Sequence, residues 1–160
     1  MTVLQFPQPK KLHSLPDCLI QARQLAREKN LLYAGQVEPE EAWQLFVSGQ
    51  AHLVDVRPTQ ERQRHGHVPN TLNVPWQFNA SSGKTGCFLA ELTNKFDQEA
   101  VILLLCSYGK TSVCAAEAAT QAGFKFVFSV SDGVEGGLCE LRHLKTGRGW
   151  RQSGLPWVQG

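Results

Sequence analysis

The stretch AVILLLCSYGKTS, residues 100–112, decides the fold of this chain. Its first six residues are all aliphatic, which predicts a strand buried on both faces of a parallel sheet. Cys106 ends the aliphatic run, and Gly109 permits a sharp turn before an alanine-rich helical pattern over residues 112–121. The sequence therefore places a thiol between the end of a strand and the start of a helix.

Further strands and helices alternate along the chain. Strands are predicted at 51–57, 71–74 and 125–130, and helices at 14–30, 39–48, from Pro58 onward, at 88–96 and at 112–121. This alternation is typical of an α/β domain with a largely parallel sheet. Ligands of such sheets bind beyond the carboxyl ends of the strands. Cys106 and the DVR stretch at 55–57 are both expected at such ends, which predicts a functional site there.

Composition and charge narrow the function classes. The chain has 160 residues and a net charge of +2, which fits one globular domain without nucleic acid or a membrane as partner. The first residues lack the pattern of a signal peptide, and no apolar run has the length of a membrane span, so we expect a cytoplasmic protein. The five cysteines are odd in number and form no C-x-x-C pair, which predicts neither a disulfide framework nor a zinc site. No metal or cofactor is expected.

The surroundings of Cys106 favour a reactive sulfur. A loop that curls around it would point several backbone N–H groups at the sulfur, along with the first unpaired N–H groups of the following helix. Such surroundings favour the thiolate, to which Lys110 adds a positive charge. The hydroxyls of Ser107, Thr111 and Ser112 add hydrogen-bond donors.

Several roles for this cysteine stay open from the residues alone. A Cys-x5-Arg phosphatase would need arginine where Ser112 stands. Cys114 lies eight residues further on, in the predicted helix, and is poorly placed to form a redox disulfide with Cys106. Sulfur transfer through a persulfide remains, and the alternative is a small buried hydrophobic residue without a chemical role.

Two charged residues follow the strand at 51–57. Asp55 is interpreted either as an acceptor of hydrogen bonds from the loop around Cys106 or as a carboxylate that caps a neighbouring turn. Arg57 and Glu61 are four residues apart, which predicts a structural ion pair if both are helical.

Several motifs then agree in order over residues 38–158. They are DVRPTQERQRHGHVP at 55–69, NVPW at 73–76, CSYGKTS at 106–112, AAEAATQAGFKFVFSVSDGVEGG at 115–137 and GWRQSGLPW at 149–157. Together they resemble the rhodanese family, in which a C-x-x-G-x-R/T loop carries the active cysteine. The resemblance implies a rhodanese-like three-layer α/β domain, with a mostly parallel central sheet and helices on both faces.

The resemblance also implies an activity and a site. It implies a sulfurtransferase of the thiosulfate sulfurtransferase (rhodanese) type, in which a Cys106 persulfide receives sulfur from a small sulfur-containing anion such as thiosulfate. The acceptor would be cyanide in an assay and a thiol or a protein cysteine in cells. The implied site comprises the loop residues Ser107, Tyr108, Gly109, Lys110, Thr111 and Ser112, with Asp55 and Arg57 in support. The alternative is a persulfide carrier or partner-binding module with little small-molecule turnover.

The residue patterns and the resemblance together divide the chain into segments. Residues 1–13 are predicted to be a flexible tail, 14–37 an N-terminal helical extension that packs on the domain, and 38–160 the rhodanese-like domain. The stretch LCELRHLKTGRG at 138–149 is an insertion relative to the family pattern. We expect it either to shape access to the active site or to be a neutral surface loop.

Overall fold

A five-stranded sheet forms the centre of the molecule. The computed structural model describes residues 15–76, 85–136, 138–139, 144–145 and 149–159. The strands are β1 Gly35–Val37, β2 His52–Asp55, β3 Leu72–Asn73, β4 Val101–Leu105 and β5 Phe126–Val130. Their order across the sheet is β1-β5-β4-β2-β3, and each neighbouring pair is parallel.

Five helices accompany the sheet. They are α1 Asp17–Glu28, α2 Pro39–Val47, α3 Thr59–His65, α4 Thr85–Lys95 and α5 Thr111–Gln121. Pro39 stands at the first turn of α2, where its missing N–H costs nothing, and Glu38 and Glu41 form a capping box around that turn.

The central strand β4 separates two hydrophobic cores. Successive side chains of a strand point to opposite faces. Leu103 and Leu105 accordingly pack with residues of α1 and α2, whereas Ile102 and Leu104 pack with residues of α4 and α5. Every residue of β4 is fully buried. This arrangement confirms the predicted α/β fold with helices on both faces of a parallel sheet.

The strand β1 is not predicted from the sequence, in which residues 14–37 are expected to form a helical extension. Its three residues are too few to show an alternating pattern, and they begin with a glycine. Gly35 has a φ of +148°, and a Cβ added there would lie 2.6 Å from the carbonyl oxygen of Ala22 in α1. The segment 14–37 therefore contains the helix α1 and also β1, an edge strand of the five-stranded sheet, and the two pack tightly against each other.

The predicted tail and insertion are only partly covered. Residues 1–13 lie outside the described residues. Within the insertion, β6 Leu138–Cys139 and β7 Leu144–Lys145 pair as an antiparallel ribbon, and residues 140–143 and 146–148 lie outside the described part. Among the helices that the structure describes, none is long and apolar enough to cross a membrane.

Candidate active site

The loop between β4 and α5 wraps around the sulfur of Cys106. We call residues 106–111 the active loop. The backbone N–H groups of Gly109 and Ser112 donate hydrogen bonds to Cys106 Sγ, at 3.1 and 3.2 Å. Gly109 has a φ of +84°, a conformation that glycine adopts without strain and that closes the loop. Cys106 is only 2% exposed, so its sulfur is held by the protein rather than by water.

A pair of buried hydroxyls extends this environment. Ser112 Oγ accepts a hydrogen bond from Cys106 Sγ at 3.2 Å and lies 2.7 Å from Ser129 Oγ on β5. Both serines are fully buried. When the thiol ionises, the Ser112 hydroxyl can rotate and donate to the sulfur instead. Ser129 cannot be predicted as a site residue from the sequence, because a lone serine in a hydrophobic strand carries no signal of its own.

A turn at residues 131–136 supports the active loop through backbone hydrogen bonds. The N–H groups of Val134 and Glu135 donate to the carbonyl oxygens of Cys106 and Ser107, at 2.8 and 2.7 Å. Asp132 and Gly133 have φ values of +63° and +60°. A Cβ on Gly133 would lie 2.4 Å from the Cys106 oxygen. These bonds hold the loop carbonyls against the turn and leave the loop amides free to face the sulfur.

The active loop forms one wall of a cavity of about 230 Å³. The lining residues are Arg57, Pro58, Glu61, Cys106, Ser107, Tyr108, Lys110 and Thr111. Tyr108 is 49% exposed and stands at the rim. The cavity has the dimensions of a small molecule rather than of a macromolecular ligand.

Arg57 pairs with Asp55, and the ion pair predicted between Arg57 and Glu61 is wrong. Arg57 Nη2 and Nε donate to the Asp55 carboxylate at 2.7 and 3.0 Å, and both side chains are almost completely buried. Arg57 precedes α3, which begins at Thr59, so the helical spacing assumed for the pair does not apply. Asp55 also accepts from the backbone N–H of Arg57, which matches the turn-capping interpretation of this carboxylate.

Glu61 instead contacts the active loop. Its carboxylate accepts a hydrogen bond from the hydroxyl of Ser107 and lines the same cavity as Cys106. The two residues are 46 positions apart in sequence, and no local spacing rule relates them. The sequence analysis therefore did not place Glu61 in the site.

Cys18, Cys87, Cys114 and Trp76 are not among the residues that line the cavity at Cys106. Cys87 and Cys114 are exposed, and burial raises the pKa of the half-buried Cys18. Trp76 packs edge-on against Phe88 at 5.2 Å, on the side of the second core. Within the described ranges, no three His, Cys, Asp or Glu side chains cluster as metal ligands would.

Comparisons with known proteins agree with this geometry. Residues 38–138 match the family model described as the Rhodanese-like domain. An uncharacterized protein of Rickettsia rickettsii is 34% identical over 72% of this chain and 90% of its own length. A thiosulfate sulfurtransferase GlpE of Actinobacillus pleuropneumoniae is 28% identical over 76% of this chain and 90% of its own.

A solved structure extends the likeness to three dimensions. The crystal structure of Rv0390 from M. tuberculosis is 36% identical, with a TM-score of 0.64 over 80% of this chain and 99% of that one. The resemblance seen in the motifs is thereby confirmed. A family match over most of the chain, with relatives above 30% identity, shows that the chain belongs to the rhodanese-like domain family.

Proposed function

We propose that this protein is a sulfurtransferase that carries sulfur as a persulfide on Cys106. The observation that carries the proposal is the pair of backbone N–H groups, of Gly109 and Ser112, that donate hydrogen bonds to Cys106 Sγ. Backbone donors of this kind stabilise an anionic sulfur. The name of the GlpE relative, a thiosulfate sulfurtransferase, supports the same reaction class.

The reaction has two half-reactions. The Cys106 thiolate attacks the sulfane sulfur of a donor such as thiosulfate, the donor's S–S bond breaks, and sulfite leaves with the bonding electron pair. The enzyme then holds the persulfide Cys106-S-S⁻ within the active loop. A thiophilic acceptor, which is cyanide in an assay and a thiol or protein cysteine in a cell, removes the outer sulfur and restores the thiolate. Two successive half-reactions of this kind give ping-pong kinetics.

The chemistry fits a reducing compartment such as the cytoplasm, because the thiol must stay free between turnovers. Cys18, Cys87, Cys106 and Cys114 are all free thiols in the described part of the chain. The partners of the reaction are small anions and thiols, and the proposal assigns no role to nucleic acid or to a membrane.

A persulfide carrier is the second candidate. Tyr108 is 49% exposed on the active loop itself, which offers an aromatic contact to a partner protein that would collect the sulfur. A carrier would load sulfur from a donor but turn over slowly with cyanide.

Intact mass measurement tests both readings. The protein is incubated with thiosulfate, its mass is recorded, and thiocyanate is measured after cyanide is added. A gain of one sulfur that cyanide removes, with steady thiocyanate production, supports the enzyme, and Cys106→Ser should show neither. Loading without turnover supports the carrier. If no donor loads sulfur, or if Cys106→Ser keeps the activity, the proposal is wrong.

A further inference from the structure

The carboxylate of Glu61 lies in the wall of the cavity that holds the reactive thiol. It is bonded to the Ser107 hydroxyl, one residue after Cys106, and lines the cavity with both of them. A negative charge at this place repels an incoming anion in proportion to the anion's own charge. The position of Glu61 therefore bears on which donors can approach the sulfur.

Two cations, Arg57 and Lys110, share the cavity wall with Glu61. The guanidinium of Arg57 is already paired with the Asp55 carboxylate and also donates to the Gly66 carbonyl at 2.8 Å. The same carboxylate also lies 3.5 Å from Arg62 Nε, so two guanidinium groups share it, and the Arg57 side chain is only 2% exposed. Lys110 contributes a second positive charge to the lining, and Glu61 contributes a negative one. Glu61 therefore lowers by one the positive charge that an incoming anion meets at the cavity wall.

The hydrogen bond between Ser107 and Glu61 has a second effect. Ser107 has a single O–H proton, and that proton is donated to the carboxylate. The hydroxyl can offer only lone pairs to a ligand, so it cannot bind a sulfonate oxygen. The rest of the rim, at Pro58 and Tyr108, supplies apolar surface instead.

We propose that Glu61 makes the active site discriminate against dianionic sulfur donors, so that its preferred donors carry at most one negative charge, as persulfides of thiols do. This inference rests on the sulfurtransferase function proposed above. In the step it favours, Cys106 thiolate attacks the outer sulfur of R–S–SH. The donor's S–S bond breaks, RS⁻ leaves with the electron pair, and the outer sulfur keeps its proton as Cys106-S-SH. One sulfur atom moves, and there is no net oxidation.

Two donors that differ by one charge test the proposal. Thiosulfate is a dianion, and methanethiosulfonate replaces one of its oxygen atoms with a methyl group and is a monoanion. The measured quantity is the second-order rate constant of persulfide formation, followed by intact mass, because it applies to an enzyme and to a carrier alike. Since the Coulomb energy scales with donor charge, Glu61→Gln should accelerate loading from thiosulfate about tenfold and from methanethiosulfonate about threefold.

Matched variants separate charge from structure. Glu91→Gln removes the same charge from the exposed surface of α4, outside the cavity lining, and should change neither rate constant. Ser107→Ala removes the hydrogen bond but leaves the carboxylate, so it should not reproduce the acceleration. Lys110→Met should act in the opposite direction and slow thiosulfate more than methanethiosulfonate, which tests the same charge balance independently of Glu61.

The outcomes distinguish this inference from the function on which it rests. If both donors load the wild type but Glu61→Gln changes the two rate constants equally, or changes neither, the inference is wrong and the sulfurtransferase proposal stands. If neither donor loads Cys106, both are overturned. A larger acceleration for thiosulfate than for methanethiosulfonate supports the inference.

Discussion

Ser129 reaches the thiol of Cys106 through one intervening hydroxyl. Its Oγ lies 2.7 Å from Ser112 Oγ, which in turn lies 3.2 Å from the sulfur. In a buried environment a neighbouring hydroxyl both orients and polarises the next one along a chain of hydrogen bonds. Ser129 is thereby a positioning residue for the thiol, although it does not contact the sulfur in the described geometry.

Substitution of Ser129 by alanine tests this role. We expect the second-order rate constant of persulfide formation to fall about fivefold, because one buried hydrogen bond contributes on the order of 1 kcal/mol. Ser48→Ala is the matched control, since the Ser48 hydroxyl donates to the Leu45 carbonyl at 3.2 Å and Ser48 lies at the end of α2, outside the pair around the thiol and outside the supporting turn. A rate loss of equal size in both variants would show that Ser129 acts only through stability, which thermal unfolding of the two variants would also report.

At the scale of elements, the active loop and the turn at 131–136 act as one unit. The turn donates two backbone hydrogen bonds to the loop, and Trp150 donates its own N–H to the Gly133 carbonyl at 2.8 Å. The indole of Trp150 is completely buried, and its ring packs edge-on against Trp43 of α2 at 6.0 Å. The shape of the loop around the sulfur is thus fixed by segments that come later in the chain.

Gly133→Ala tests whether the turn at 131–136 holds the active loop in place, apart from the cost of backbone strain in the turn itself. A Cβ there would meet the Cys106 carbonyl at 2.4 Å, so we expect the active loop to shift and persulfide loading to fall at least tenfold. Gly154→Ala provides the control, because Gly154 also has a positive φ, +73°, but a Cβ there meets nothing within 4 Å. Both variants should lose about 1 kcal/mol from the left-handed conformation, and only Gly133→Ala should lose loading. Normal loading in a folded Gly133→Ala protein would contradict the proposed support.

The loop around Cys106 could be predicted from the sequence, whereas the contacts of Ser129 and Glu61 could not. The strand, the glycine turn and the helix around Cys106 are contiguous, so their pattern predicts the loop. Ser129 contacts Ser112, which is 17 positions away in the sequence, and Glu61 contacts Ser107, which is 46 positions away. Such contacts depend on how the strands are ordered in the sheet. The predicted ion pair between Arg57 and Glu61 requires Arg57 to be helical, but Arg57 precedes α3 and pairs with Asp55.

At the scale of the whole molecule, the predicted sheet and helices are present with shifted ends. The four strands predicted from the sequence are β2 to β5. Strands β4 and β5 are fully buried and β2 is buried apart from His52, whereas β3 consists of two half-buried residues. Strand β1 is the one strand of the sheet not predicted from the sequence, because its place at the edge is set by pairing with β5 rather than by its own residues.

His52 makes the stability of the molecule depend on pH. It packs against Phe96 with ring centroids 4.6 Å apart, and burial lowers its pKa below the ordinary 6.5, although Asp97 acts in the opposite direction. The folded protein therefore holds His52 neutral where the unfolded chain takes up a proton. Stability is full above pH 6.5 and is lost as pH falls from there toward the lower folded pKa.

The His52→Gln variant should accordingly lose less stability on acidification than the wild type. The measurement is the free energy of unfolding by urea at pH 7.5 and at pH 5.5, compared between the two proteins. His67, whose pKa burial also lowers, is present in both and cancels in the comparison. An equal drop in the two proteins would assign the pH dependence to other groups.

The pairing of β1 with β5 has a consequence for how the chain is made. Val37 pairs with Val130, so the edge strand must wait while about 90 further residues are synthesised. At roughly 5–20 residues per second, translation leaves β1 without its partner for about 5 to 20 seconds. During that interval Gly35–Val37 has no strand to pair with, while β2, β3 and β4 can already pair with one another as they are synthesised. The first strand to be synthesised, β1, therefore joins the sheet only after β5 has been synthesised.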